Sequence, residues 1–431
     1  MTNDDIIKAA FKVWGRELYR TTSLTQLAQE LGVSKAALYR HFKNKDALLE
    51  AMYTAFFDEC AAFIKTGYDK AVAVEDEQER CLIMMRATAE YYIRKPGAFV
   101  FSLIRVYSRR EQGNIGEEFR ARGIDMRRLM HAGNDSSYFS SNYPSDYPSI
   151  YPSILHYPSV FQLIMASLVF HVAQFHRVEC KQGEIPSEEQ VKGFLDRIEN
   201  RIKRGLELDV QKTAALDYGM LEKRAAQTPQ DTEDDALLKA VAGAVAEAGP
   251  WNASMEMVAR RSGLSKSSLY SHFKNRQDMM GRFFITEFSR LADFAKAHIE
   301  SAEEPEEQLY LGIISIVQYL RSRPEILVTM DWIKARRLEL MLDKEVSERL
   351  YHVLGSIKLE AVRKQDQDLL VHIANWILFM IVNTMIWRPS RKGENSTWVK
   401  QTAELPNESF RLLFRFIALG LDGFNGCLHG Q

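Results

Sequence analysis

The chain has 431 residues, with 56 Lys and Arg against 57 Asp and Glu, a formal charge of −1 and 46% hydrophobic residues. At roughly 100–200 residues per domain this length predicts two or more domains, and the ordinary apolar fraction excludes a disordered chain or a collagen-like fibre. The balanced charge excludes coating of nucleic acid by net charge, while leaving room for a segregated basic surface.

The first predicted helix starts at Thr2/Asn3 with Asp4 and Asp5 in its first turn, and Ile6, Ile7, Ala10, Phe11 and Trp14 repeat at helical spacing. A short second helix follows, with Ser23 as its cap, Gln26 as the reciprocal partner, and Leu27, Ala28 and Leu31 on its inner face. Gly32 is placed to end that helix in the left-handed conformation. Ser34 is placed to cap a third helix over Lys35–Phe42, whose Leu38 and Phe42 face the core. Asn44 then caps a long fourth helix. A helix, a glycine turn and a second helix of this size form a helix-turn-helix.

Further along, residues 133–159 carry Tyr143-Pro144-Ser145, Tyr147-Pro148-Ser149, Tyr151-Pro152-Ser153 and Tyr157-Pro158-Ser159. Their proline density forbids helix and predicts an extended or turn-rich surface insertion. Two apolar helices are expected at Val160–Arg177 and Glu188–Val210, and a linker at 212–231 in which Leu216–Ala226 looks helical.

The pattern then begins again. Residues 254–276 repeat residues 23–45 at an offset of 231 without a gap, with eleven of 23 positions identical. Before them, Thr232 and Asp235 open a helix carrying Leu237, Leu238, Val241, Ala244 and Val245, stopped at Gly249-Pro250. After them, apolar helices are expected at Asp368–Arg388 and Asn407–Gly426. One repeat at about half the chain length is a tandem duplication rather than a solenoid. The predicted architecture is all-α. It comprises head 1 (1–45), body 1 (46–211), the linker (212–231), head 2 (232–276) and body 2 (277–431).

Each recognition-type helix opens on small or hydrogen-bonding residues, which lets its backbone approach base edges in the major groove. These are Ser34, Lys35, Ala36 and Ala37 in head 1, and Ser265, Lys266, Ser267 and Ser268 in head 2. Tyr39, Arg40 and His41, and Tyr270, Ser271 and His272, lie on the other outward faces. Lys43, Asn44 and Lys45, and Lys274, Asn275 and Arg276, add cations and a helix N-terminus suited to phosphate. Between Ser34 and Lys45 there are four cations and no acid; between Arg260 and Arg276 there are five and no acid. This is the segregated charge that the neutral total conceals.

The string G-[VL]-S-K-x-x-L-Y-x-H-F-K-N-[KR], after a T/S-[LM]-x-x-[LV]-A helix, resembles the tetracycline-repressor (TetR) family of bacterial transcription regulators. The resemblance covers about 45 residues in each unit. It implies a three-helix DNA-binding head on a larger helical body for ligand binding and dimerisation, with release of DNA when a small ligand enters the body. It further implies that Lys35–Phe42 and Lys266–Phe273 are recognition helices and that Tyr39, Tyr270, Lys43 and Lys274 contact phosphate. Family members carry one head per chain, whereas this chain carries two. An intrachain pseudo-dimer is therefore expected, its bodies joined by a four-helix bundle of the four apolar helices, with a higher oligomer open. The replacement of Arg40 by Ser271 and of Ala36-Ala37 by Ser267-Ser268 predicts an operator with unlike half-sites.

The expected partners are double-stranded DNA and an apolar or aromatic small molecule. Tyr91, Phe99, Tyr107, Tyr319, Trp332, His372 and Trp376 are the candidates for the ligand pocket. The run Leu369–Trp387 is long enough for a membrane span, but His372, Asn375, Asn383 and Thr384 favour a buried helix of a soluble bundle. Cys60, Cys81, Cys180 and Cys427 are far apart, and the acidic N-terminus has no signal pattern, so a cytoplasmic location is expected. No phosphate-binding, dinucleotide-binding or zinc-protease motif is present, and no cofactor or metal is expected. The expected function is a ligand-responsive repressor rather than an enzyme. The competing reading is an interaction scaffold whose heads no longer bind DNA.

Overall fold

The computed structural model describes residues 2–16, 24–103, 115–130, 160–180, 185–226, 235–248, 253–323, 326, 353, 357, 367–386 and 405–424. Among these residues there is no strand. Ser23, Thr232, Gly249-Pro250 and the Tyr-Pro-Ser insertion lie outside the described residues. By proximity the chain divides into two compact units. The first comprises Met1–Ser153, Leu168–Glu199 and Pro389–Lys392, and the second Ile154–Ser167, Asn200–Arg388 and Gly393–Gln431.

Head 1 begins with α1 (Asn3–Arg16). Thr2 and Asp5 cap it reciprocally: the Thr2 amide donates to Asp5 Oδ2 at 2.7 Å, and the Asp5 amide to Thr2 Oγ1 at 3.2 Å. Its inner face is Ile6, Ala10 and Val13. α2 (Leu24–Glu30) buries Leu24, Leu27 and Ala28, so Leu24 takes the inner place expected of Leu31, which is half-buried. Gly32 follows at φ +64°, a left-handed position that glycine adopts without strain from a Cβ. α3 (Lys35–His41) buries only Leu38, and α4 (Lys45–Ala71) runs on into the body.

Body 1 continues with α5 (Glu77–Arg94), capped by Asp76, and α6 (Pro96–Phe101), opened by its N1 proline. Gly97 of α6 lies against the α1 backbone, where a Cβ would stand 2.4 Å from the Phe11 carbonyl oxygen. Phe11 meets Phe101 edge-on with ring centroids 5.2 Å apart, so head 1 docks on its body through an aromatic contact. Two short helices follow, α7 (Ile115–Ala121) and α8 (Arg127–Met130). Buried Arg80 ties α8 to the α4–α5 turn, donating to the carbonyls of Leu129, Val74 and Glu75. Two long helices follow: α9 (Val160–Gln174), continued by a π-turn over Phe175–Glu179, and α10 (Glu188–Arg204), of which Leu168–Glu199 belongs to the first unit and the outer ends to the second.

The segment read from sequence as a linker carries two capped helices, α11 (Val210–Ala214) and α12 (Tyr218–Ala225). α12 buries Leu221 and Ala225 and is held through Glu222, as described below. Head 2 repeats head 1 as α13 (Asp235–Ala248), α14 (Met255–Ser262) and α15 (Lys266–His272). Gly263 ends α14 at φ +71°, as Gly32 ends the corresponding turn of head 1. Body 2 follows with α16 (Arg276–Glu300), α17 (Pro305–Ser322), α18 (Gln367–Ile386) and α19 (Asn407–Leu419). Of α18, Ile373–Val382 is buried throughout, including Asn375. Among the described residues no helix is long and apolar enough to cross a membrane.

Candidate nucleic-acid interface

The recognition helices are fixed from both ends by the residues that the repeat preserves. Ser34 Oγ accepts the Ala37 amide at 3.1 Å, and Ser265 Oγ accepts the Ser268 amide at 3.0 Å. Asn44 Oδ1 accepts the Ala47 amide at 2.8 Å, and Asn275 Oδ1 accepts the Asp278 amide at 2.9 Å, so α4 and α16 start at the same register. Leu38 with Phe42, and Leu269 with Phe273, are buried and set the rotation of each helix on its head.

That rotation turns the candidate DNA-binding residues outward. Ser34, Lys35, Ala36, Tyr39, Arg40, Lys43 and Asn44 are exposed, as are Ser265, Lys266, Ser267, Tyr270, Ser271, Lys274 and Asn275. Ala37 and Ser268, the partners of the two serine caps, are half-buried, as are Lys45 and Arg276. Tyr39 and Tyr270 are 42% and 48% exposed, unusual for aromatic rings in a folded head and suited to a partner surface. Lys35 Nζ lies 5.8 Å from the Tyr39 ring centroid.

Several residues are placed differently from the expectation of a uniformly outward basic face. His41 is half-buried and its Nδ1 lies 2.8 Å from Asn3 Oδ1, which ties α3 to α1, whereas His272 is exposed. Arg276 donates from Nε to the Ala253 carbonyl at 2.8 Å. Ser271 Oγ donates to the Ser268 carbonyl at 2.6 Å, and Ser265 and Ser267 hydroxyls pair at 2.9 Å. Sequence reasoning missed Asp278. Its Oδ2 accepts the Lys274 amide at 2.9 Å and its Oδ1 accepts Arg282 Nε at 3.0 Å. The Lys274 amide above all holds this carboxyl below the usual range, outweighing the opposing effect of burial, and the Arg282 guanidinium adds to the lowering. The signal was available as Asn275-x-x-Asp278, a capping box at the start of a helix.

The described ligand-pocket candidates are packed against named neighbours. Tyr91 and Phe99 meet through Tyr92 at centroid distances of 5.5 and 5.3 Å, within a packed aromatic cluster of body 1. Burial above all, then Cys60 and Glu59, pushes the Tyr91 hydroxyl well above its ordinary range. Tyr319 donates to Glu287 Oε2 at 2.9 Å, and Trp376 Nε1 to Ser167 Oγ at 3.1 Å. His372 is half-buried on α18, and Tyr107 and Trp332 lie outside the described residues. Helical spacing marks buried aromatic residues, but it does not distinguish a cavity wall from close packing. Body 2 contains a small apolar gap of about 10 Å³, no larger than one water, lined by Leu291, Ala292, Ala295, Ile316, Ala374 and Leu378, among other apolar residues.

The family model of bacterial regulatory proteins, tetR family, matches residues 6–52 and 237–282, the two heads. A 72-residue stretch is 31% identical to the uncharacterized HTH-type transcriptional regulator YerO of Bacillus subtilis, covering 17% of this chain and 22% of that one. A 51-residue stretch is 39% identical to YvkB of the same organism, also described as an uncharacterized HTH-type transcriptional regulator, over 12% and 27% of the two chains. An uncharacterized HTH-type transcriptional regulator of Mycobacterium tuberculosis is 20% identical over 153 residues, 36% of this chain and 74% of its own. The chain thus spans about a quarter of the length of these Bacillus relatives.

Proposed function

Since the chain carries two helix-turn-helix units of the tetR family of bacterial regulatory proteins, we propose that it is a DNA-binding transcription regulator whose one chain does the work of a dimer. The observation that carries this reading is the repeated outward face: two capped recognition helices expose matched serine, lysine and tyrosine residues in the same register. Each helix presents its N-terminus and small side chains to the groove, while the lysines at its exit neutralise phosphate.

The fused arrangement is supported within the second unit, where segments of helices from both repeats come together. Ser167 of α9 bonds Trp376 of α18, and Arg201 of α10 stacks on the same indole at 5.8 Å. The amide of Leu206, just past α10, donates to the Ile417 carbonyl of α19 at 2.8 Å. These contacts fit a bundle that closes inside one chain. A lipophilic effector that releases DNA when it enters a body, repression, and an operator of unlike half-sites complete the reading.

A mobility-shift titration on DNA from the protein's own promoter region tests the function. Saturable binding that is lost on joint Tyr39→Ala and Tyr270→Ala replacement supports it. Absence of binding even at low salt, where phosphate contacts are strongest, contradicts it.

A further inference from the structure

We propose that the two heads are unequal DNA binders: head 1 anchors the chain on the phosphate backbone, and head 2 adds a weaker contact because a carboxylate of its own occupies the exit of its recognition helix. The inference rests on the DNA-binding reading above and adds a rank order to it.

The lysines at matched positions do not differ. Lys35 and Lys266, and Lys43 and Lys274, are all exposed, and their side chains make no ion pair with the described residues. The difference lies in what surrounds them. Head 1 presents Arg40 to solvent without an ion pair among the described residues, where head 2 has Ser271 with its hydroxyl turned back onto Ser268.

Asp278 has the largest consequence. It places a carboxylate on the backbone amide of Lys274, at the exit of the recognition helix, and Arg282 holds it there. A phosphate oxygen approaching that amide meets a negative charge and must displace it. In head 1 the same position is Ala47, and no described group accepts from the Lys43 amide. Head 1 has its own acid one position earlier, but Asp46 is exposed and takes no hydrogen bond from that amide. A helix N-terminus attracts an anion, and in head 2 the protein supplies its own. Each phosphate contact that a head gains or loses changes the slope of log affinity against log salt by about 0.9.

The test is a salt titration of the full chain on a random-sequence duplex about two helical turns long. Asp278→Asn keeps an oxygen that accepts the Lys274 amide and removes the charge. It is expected to raise affinity by about threefold near physiological salt and to steepen the slope by about 0.9. Ala47→Asp, which gives head 1 the same carboxylate, is expected to do the reverse. Lys43→Ala is expected to cost more affinity than Lys274→Ala, a comparison that holds even where Ala47→Asp impairs folding. Equal losses for the two lysine variants, or an Asp278→Asn chain with unchanged affinity and slope, would overturn the rank order. Failure of the unaltered chain to bind at low salt would remove the DNA-binding reading itself.

Discussion

Tyr39 and Tyr270 are large rings held in solvent by helices whose other apolar residues, Leu38 with Phe42 and Leu269 with Phe273, are buried. Such exposure gives nothing to folding, so Tyr39→Ala and Tyr270→Ala are expected to weaken DNA binding while changing unfolding free energy by no more than about 0.5 kcal/mol. Paired urea denaturation and mobility-shift curves check this. The serine caps behave in the opposite sense. Ser34→Ala and Ser265→Ala each leave a helix-start amide unpaired, at an expected cost of about 1 kcal/mol in urea denaturation. At this scale the sequence was most legible. Ser34, Asn44, Ser265 and Asn275 cap where local spacing placed them, and Gly32 and Gly263 turn left-handed as expected. Illegible were the choices a side chain makes among partners brought near only by folding, such as Arg276 for the Ala253 carbonyl and His41 for Asn3.

Among the elements, α12, within the stretch read as a linker, is held in place by its side chains. Glu222 accepts the Tyr310 hydroxyl at 2.7 Å and two bonds from Arg411, at 2.8 and 3.0 Å, which pins α12 to α17 and α19. Burial alone would raise the Glu222 pKa, but the bonds from Arg411, Tyr310 and Asn407 outweigh it and hold the pKa below its ordinary value. A depressed carboxyl stabilises the fold above its unfolded pKa of about 4.3, and that contribution is lost as pH falls through the lower, folded value. Melting temperature against pH is therefore expected to fall less on acidification in Glu222→Gln than in the unaltered chain. The grouping was not legible in sequence, because Tyr310 and Arg411 lie far from Glu222 along the chain and only the fold collects them. The helix ends carry a second constraint. Gly205 and Gly420, at φ +58° and +63°, follow α10 and α19 and lie backbone to backbone. A Cβ on Gly205 would stand 2.5 Å from Gly420 N, and one on Gly420 2.4 Å from the Lys203 carbonyl oxygen. Neither neighbour is a side chain that can swing aside, so Gly205→Ala and Gly420→Ala are each expected to cost about 2 kcal/mol or more by denaturation.

For the whole molecule, the neutral total of 56 basic and 57 acidic side chains is the sum of unlike parts. The repeat was legible because a duplication leaves identical residues at one offset, and the two heads follow from it. Helical spacing did not separate the two roles of buried aromatic residues, since packing and binding use the same side chains. A fused chain that supplies both heads is expected to sediment at 49.6 kDa at micromolar concentration, whereas a species of twice that mass contradicts a self-sufficient monomer. Selection of binding sites from random DNA, followed by footprinting with the unaltered chain and with Lys43→Ala and Lys274→Ala, bears most directly on two heads reading DNA from one chain. Two unlike protected segments about one helical turn or more apart are expected, each weakened by the substitution in its own head. A perfect palindrome would contradict divergent heads, and an absence of any selected or protected sequence would contradict a sequence-reading regulator.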